Sequence, residues 1–288
     1  MTVININELN KLYKSNWILK NINLSVNEYD FYCISGLKLS GKTTLIKTLL
    51  GFIKPTSGLV YVLNMDINRY REDILRDTGY ISYKNNFWNN MTVDEVIKFS
   101  ARLKKKDCNI EAKRLCERFR LDRKKRVIDL PRHEQRKIDI VCAMQSSPKL
   151  YILDEPSKGL YSDSKRELFK ALNEERKRGS TILMTSDNIE DAKKYCNKIS
   201  IIKDGEILIS NSVQNLSKII GQRVSIKGIN TIPPLKGISD PYVFENTITF
   251  LYRGNTHDLI NYLSRFPIES LNIDEPEIDE IYKKIFGR

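Results

Sequence analysis

An α/β fold, a mostly parallel sheet covered by helices on both faces, is the class this sequence predicts. Three observations carry it. Apolar segments of strand length alternate with amphipathic helical segments through most of the 288 residues. The strand-like "FYCIS" runs into the glycine-bearing turn "GLKLSGKTT" and on into an apolar helix. Further along, the apolar "LYILD" ends in two adjacent carboxylates, Asp154 and Glu155. A hydrophobic content of 41% suffices for the core such a sheet needs.

From the start to about residue 83 the pattern is strand-like. "VININEL", "ILKNINLSV", "FYCIS" and "GLVYVL" are interrupted by a single strong helix, "KTTLIKTLLGF". Between about 92 and 146 it turns helical, and Thr92 with Glu95 three residues on reads as a capping box for "VDEVIKFSARL". Then strand and helix alternate: "LYILD", "SKRELFKALNEERKR", "STILMTS", "NIEDAKKYC", "KISIIK", a "DG" turn, "EILIS" and "SVQNLSKII". The stretch "TIPPLKGISDP" breaks regular structure. A short β, β, α, β, α series follows in "QRVSIKG", "TITFLYR", "THDLINYLSRF", "IESLNI" and "EIDEIYKKIF". The expected organisation is a domain over residues 1–220, with a helical subdomain over about 84–147, and a small α/β module over 221–288.

Composition excludes several classes. No run of eighteen apolar residues appears and the N-terminus resembles no signal peptide, so a cytoplasmic location is expected. Five cysteines without a C-x-x-C pair, and two distant histidines, His133 and His257, argue against a disulfide framework or zinc site. The net charge of +12 concentrates in "RLKKK" and "RLDRKKR". Such runs are ordinarily solvated helix faces, and charge alone does not choose between an anionic membrane and nucleic acid as partner.

The turn at residues 36–44 matches G-x-x-x-x-G-K-[ST] between a strand and a helix, the context in which that pattern binds phosphate. Consecutive backbone N–H groups of Gly36, Leu37, Lys38, Leu39, Ser40, Gly41, Lys42, Thr43 and Thr44 would cup a polyphosphate at a helix N-terminus. Lys42 is placed to reach the outer phosphates, and the Thr43 hydroxyl to ligate Mg²⁺. Asp154 suits a magnesium ligand. Glu155 suits a general base or water-orienting group.

These two motifs and the helical insert between them resemble the ATP-binding-cassette (ABC) transporter ATPase family over residues 1 to about 220. The resemblance implies a P-loop NTPase fold with mixed sheet and helical subdomain, and ATP and Mg²⁺ as cofactors. It implies an adenine-stacking role for Tyr13, although a tyrosine there could equally pack on the core. Two cassettes of this family close head to tail, each ATP lying between one chain's phosphate loop and the other's signature loop.

Against the family pattern the chain departs at five stations. Residues 130–134, "LPRHE", lie on the signature LSGGQ, with Pro131, Arg132 and His133 where a serine and two glycines stand. Proline has no N–H, and the two bulky side chains keep a phosphate from the backbone. Leu39 takes a glycine's place in the phosphate loop, where a positive φ is resisted by its Cβ. Tyr83 replaces the family's glutamine, Tyr161 an aspartate of the loop that communicates across the dimer, and Asp187 the switch histidine. An ionised Asp187 at ~4 Å from a terminal phosphate would repel it by about 4 kcal/mol at an effective dielectric of 20. The resemblance therefore implies a degenerate cassette that binds nucleotide and turns it over poorly.

The family also implies partners. These are a separate membrane permease, which would hold the chain at the inner face of the cell membrane, and a second cassette, as homodimer or heterodimer; no nucleic acid is expected. Phe87 and Trp88 fall where a permease helix docks in this family, and buried core aromatics are the alternative. The segment after 221 resembles the C-terminal appendage of bacterial exporter ATPases.

Overall fold

The long buried strands fix the architecture. In the computed structural model, which describes residues 1–83, 90–213, 221–229, 231 and 234–274, every residue of β3 (Phe31–Ser35), β7 (Leu150–Asp154) and β8 (Thr181–Ser186) is buried. Strands without an exposed face belong in the middle of a parallel sheet. β3 pairs parallel with β8 and with β9 (Lys198–Lys203), and β7 pairs parallel with β8 and with β6 (Thr78–Ile81). With β10 (Glu206–Ser212) the order is β10-β9-β3-β8-β7-β6.

A second, antiparallel sheet has the order β2-β1-β4-β5, from β1 (Thr2–Tyr13), β2 (Asn16–Asn27), β4 (Ser57–Val62) and the short β5 (Met65–Asp66). β2 alternates buried and exposed residues along "INLSVN", as a strand with one solvated face must. Its buried Ile22, Leu24 and Val26 join Ile4, Ile6 and Leu9 of β1 in a core shared with Ile34 and with Leu45, Ile46 and Leu49 of α1 (Lys42–Leu49). The sheets thus sandwich the helix that follows the phosphate turn.

The helical region contains α3 (Val93–Lys104), α4 (Asn109–Arg118) and α5 (Arg132–Met144). The expected capping box is formed. Thr92 Oγ1 accepts from the Glu95 N–H at 3.2 Å, and Glu95 Oε2 accepts from the Thr92 N–H at 2.7 Å. One helix was not expected: α2 (Arg71–Asp77), where the sequence predicts only strands around α1. It buries a single residue, Ile74, so it carries no periodic apolar stripe to be read. α6 (Ser162–Lys177) and α7 (Ile189–Tyr195) complete the alternation.

The chain divides into two units, Met1–Ser210 and Asn211–Arg288. The division lies upstream of residue 221, where the rhythm of the sequence changes. In the second unit β11 (Gln222–Lys227), β12 (Ile238–Phe244), β13 (Thr247–Tyr252) and β14 (Ser270–Asp274) form an antiparallel sheet ordered β12-β13-β11-β14. A helix, Thr256–Leu263, buries Leu259 and Leu263, and its N-cap Asn255 accepts from the His257 N–H at 2.8 Å. β12 contains Pro241, where an irregular segment is predicted. It lies at the sheet edge and its register slips between Ser239 and Tyr242, which is how a strand accommodates a proline. The expected helices "SVQNLSKII" and "EIDEIYKKIF" fall largely or wholly outside the described residues.

Candidate functional site

The turn between β3 and α1 is shaped by close backbone approach. A Cβ on Gly36 would stand 2.4 Å from the Ile202 carbonyl oxygen, and Gly41, the N-cap of α1, has φ 104° with the Ile18 carbonyl 2.9 Å from where its Cβ would be. Leu39 adopts φ 66°, the left-handed conformation its side chain was expected to resist. Its side chain is fully exposed, so the cost is the local one of about 1–2 kcal/mol, with no packing conflict added. The loop keeps its course despite the substitution.

Lys42 is buried and folded inward. Its Nζ donates to the carbonyls of Gly36 at 2.6 Å and Leu37 at 3.0 Å, and lies 3.6 Å from Glu155 Oε1. Parallel pairing of β7 and β8 sets Asp154 beside Thr185. The Thr185 hydroxyl donates to Asp154 Oδ1 at 2.7 Å and accepts from the Glu155 N–H at 3.0 Å. Asp154 Oδ2 is buried and has no hydrogen-bond partner. Glu155, at φ 50°, accepts on Oε2 from the Asp187 N–H at 3.1 Å. Burial pushes the Glu155 carboxyl above its ordinary value; the Asp187 N–H and Lys42 oppose the rise, and the Asp187 carboxylate adds to it.

Tyr13, Lys38, Leu39, Ser40, Gly41, Lys42, Thr43, Thr44 and Glu155 line one cleft of about 840 Å³. Gly36 and Leu37 form the base of the turn, their carbonyls held by Lys42. Asp154 and Thr43 meet along an adjoining groove of about 640 Å³, which also includes Lys47, Phe52 and Asp139. Burial pushes the Asp139 carboxyl up to about 7, although Arg136 lies 3.2 Å away and opposes the rise. Tyr13 is half-exposed at the cleft, with Lys11 Nζ 4.8 Å from its ring, and is not packed in the core.

Tyr83 and Asp187 line this same cleft. Between them stands a residue that motif reading passes over. Lys158 Nζ lies 3.5 Å from Asp187 Oδ2 and 4.7 Å from the centre of the Tyr83 ring, so Asp187 is paired with a cation. The Tyr83 hydroxyl, together with Asp187 and Glu155, holds the Lys158 ammonium above its ordinary value. A lysine three residues after an acidic pair carries no local signal; only the fold brings it to Asp187.

At the signature position Pro131 is the N-cap of α5 and Arg132 opens the helix. The His133 ring packs against Tyr161 with centroids 4.3 Å apart. Gln135 Nε2 donates to the carbonyls of Leu130 at 2.9 Å and Val127 at 3.1 Å, fixing the entry to the helix. The buried Arg136 donates to the carbonyls of Ser82, Asp154 (3.3 Å) and Glu155 (2.8 Å). Phe87 and Trp88 lie outside the described residues.

The donor set fits magnesium. Asp154 offers an unpartnered carboxyl oxygen, and Thr43 a hydroxyl, beside a cleft lined by Lys38–Thr44. Mg²⁺ commonly takes one or two protein oxygens and completes its shell with phosphate and water. Among the described residues no cluster of three His, Cys, Asp or Glu side chains forms a metal cage of its own.

Residues 19–158 match the family described as ABC transporter. The chain carries an ABC transporter ATP-binding cassette domain. The bacitracin transport ATP-binding protein BcrA of Bacillus licheniformis is 29% identical over 231 residues, covering 75% of this chain and 72% of that protein. The probable multidrug ABC transporter ATP-binding protein YbhF of Escherichia coli is 26% identical over 220 residues, 75% of this chain; the match spans only 38% of that protein. Among solved structures, an ATP-binding subunit of an ABC transporter superposes with a TM-score of 0.71 at 24% identity, covering 76% of this chain and 93% of its own. A cassette dimer in a post-hydrolysis state with ADP and phosphate gives 0.65 at 24% identity, covering 73% of this chain and 98% of its own. The cassette fold, a mixed sheet with flanking helices, is therefore that of the P-loop ABC ATPases.

Proposed function

We propose that the chain is the nucleotide-binding subunit of a bacterial ABC transporter of the export or peptide and antibiotic resistance type. It binds Mg-ATP at the cleft of residues 36–44, Asp154 and Glu155. The observation that carries this reading is the convergence of that turn with Asp154, whose Oδ2 is buried without a partner, as an ion-binding oxygen awaiting its charge would be. Resemblance to BcrA supports the export assignment. When bound, Mg²⁺ would supply charge neutralisation; Thr43 and Asp154 would hold it, Lys42 would exchange the Gly36 and Leu37 carbonyls for the outer phosphates, and Glu155 would orient water.

Pro131, Arg132, His133, Tyr161, Tyr83 and Asp187 make this a degenerate cassette, with hydrolysis slow in the homodimer or dependent on a second, more complete cassette. A separate permease provides the membrane spans; among the described residues no helix is long and apolar enough to cross a membrane. The chain then sits at the inner membrane face through that permease.

Equilibrium titration of the purified chain with Mg-ATP tests the reading. Lys42→Ala should weaken binding by roughly a hundredfold or more, the loss of charge-assisted bonds to the outer phosphates. An absence of Mg-ATP binding by the unsubstituted chain, alone and with candidate partner cassettes, refutes it. The contact of His133 with Tyr161 favours a second reading, a non-catalytic scaffold or regulator that keeps the cassette shape. Under that reading Glu155→Gln leaves transport in cells intact; loss of transport rejects it.

A further inference from the structure

Lys158 stands on the wall of the nucleotide cleft with its side chain 39% accessible, between Asp187 and Tyr83. The cleft already holds one cation, Lys42, but that ammonium is turned into the loop, committed to two carbonyls and to Glu155. It also holds two carboxylates, Glu155 and Asp187. An additional phosphate brought near these carboxylates meets repulsion, which a cation within reach of both relieves. Lys158 is that cation. Its contact with Asp187 at 3.5 Å is a loose one, and the flexible four-carbon stem of lysine lets the ammonium turn from one anion to another at small cost. The Tyr83 ring beneath keeps it over the cleft rather than out in solvent.

We propose that Lys158 is a specificity-determining residue that distinguishes a nucleoside triphosphate from a diphosphate, its ammonium leaving Asp187 for the terminal phosphate. This rests on the nucleotide-binding function proposed above. A triphosphate gains a charge-assisted contact through Lys158 that a diphosphate, ending short of it, does not. Asp187, at the position where the family carries its switch histidine, holds the cation until a terminal phosphate draws it away, in place of touching phosphate itself.

The experiment titrates Mg-ATP and Mg-ADP into the full chain and into Lys158→Gln, Lys158→Arg and Lys42→Ala. Lys158→Gln should weaken Mg-ATP by about tenfold, the worth of one charge-assisted bond, while Mg-ADP binding stays unchanged. Lys158→Arg should recover most of the loss, because charge and reach are kept. An equal loss for both nucleotides, or an unaltered ratio of the two affinities, overturns the proposal. These results separate from failure of the underlying function. If Lys42→Ala abolishes both nucleotides while Lys158→Gln leaves their ratio alone, only the Lys158 assignment falls; if the unsubstituted chain binds neither nucleotide, both fall.

Discussion

Two helix entrances in this chain are built differently. At residues 36–44 the backbone keeps a path that brings main-chain groups around the cleft, even with Leu39 at φ 66°. At residues 130–134 the entrance to α5 begins with a proline that has no N–H and continues with the side chains of Arg132 and His133. Leu39 costs local strain with its side chain in solvent, whereas Pro131 supplies no N–H and the His133 ring packs on Tyr161. The lesson is that a bulky residue in an anion-binding turn is tolerated when its side chain points to solvent, and changes the chemistry when it is proline or when its side chain packs across the turn, as His133 does on Tyr161.

The largest expected effect tests the first entrance. Gly36→Ala forces a methyl to 2.4 Å from the Ile202 carbonyl, which should destabilise the chain by about 3 kcal/mol and abolish Mg-ATP binding; denaturant midpoints and titration measure both. An alanine variant of undiminished stability would mean that the turn is not held by backbone approach. Thr185→Val comes next. It strips Asp154 Oδ1 and the Glu155 N–H of their shared hydroxyl and should cost roughly 2 kcal/mol by chemical denaturation.

Restoring the second entrance with Pro131→Ser, Arg132→Gly and His133→Gly together should raise the ATP turnover of the purified chain by about tenfold, the scale of a backbone donor facing developing charge. A flat result would place the block elsewhere, at Tyr83 or Asp187. The smallest effect belongs to Leu39→Gly, which should stabilise the fold by no more than about 1 kcal/mol. It relieves a positive φ and gives up no buried contact, at the entropic cost of a glycine. A loss of stability there would show that Leu39 packs against something in solution.

The fold was legible wherever burial is continuous or periodic. β3 and β7 announce themselves as apolar runs before special turns, and Thr92 with Glu95 marks the start of α3 by chemistry alone. α2 was not legible, because one buried residue makes no period, and β12 was hidden by a proline that only an edge position permits. For the site, the sequence motif marks the turn and the acidic strand end, since both depend on neighbours in the chain. The pairing of Lys158 with Asp187 and of His133 with Tyr161 depends on strands and helices meeting from afar, and no spacing rule signals it.

Arg136 deserves a mechanical reading. Its guanidinium grips peptide oxygens at Ser82, Asp154 and Glu155, so the second turn of α5 is tied to the ends of β6 and β7 by a single rigid plane. A shift of α5 against β7 must therefore either break these bonds or carry along the peptide that bears Glu155.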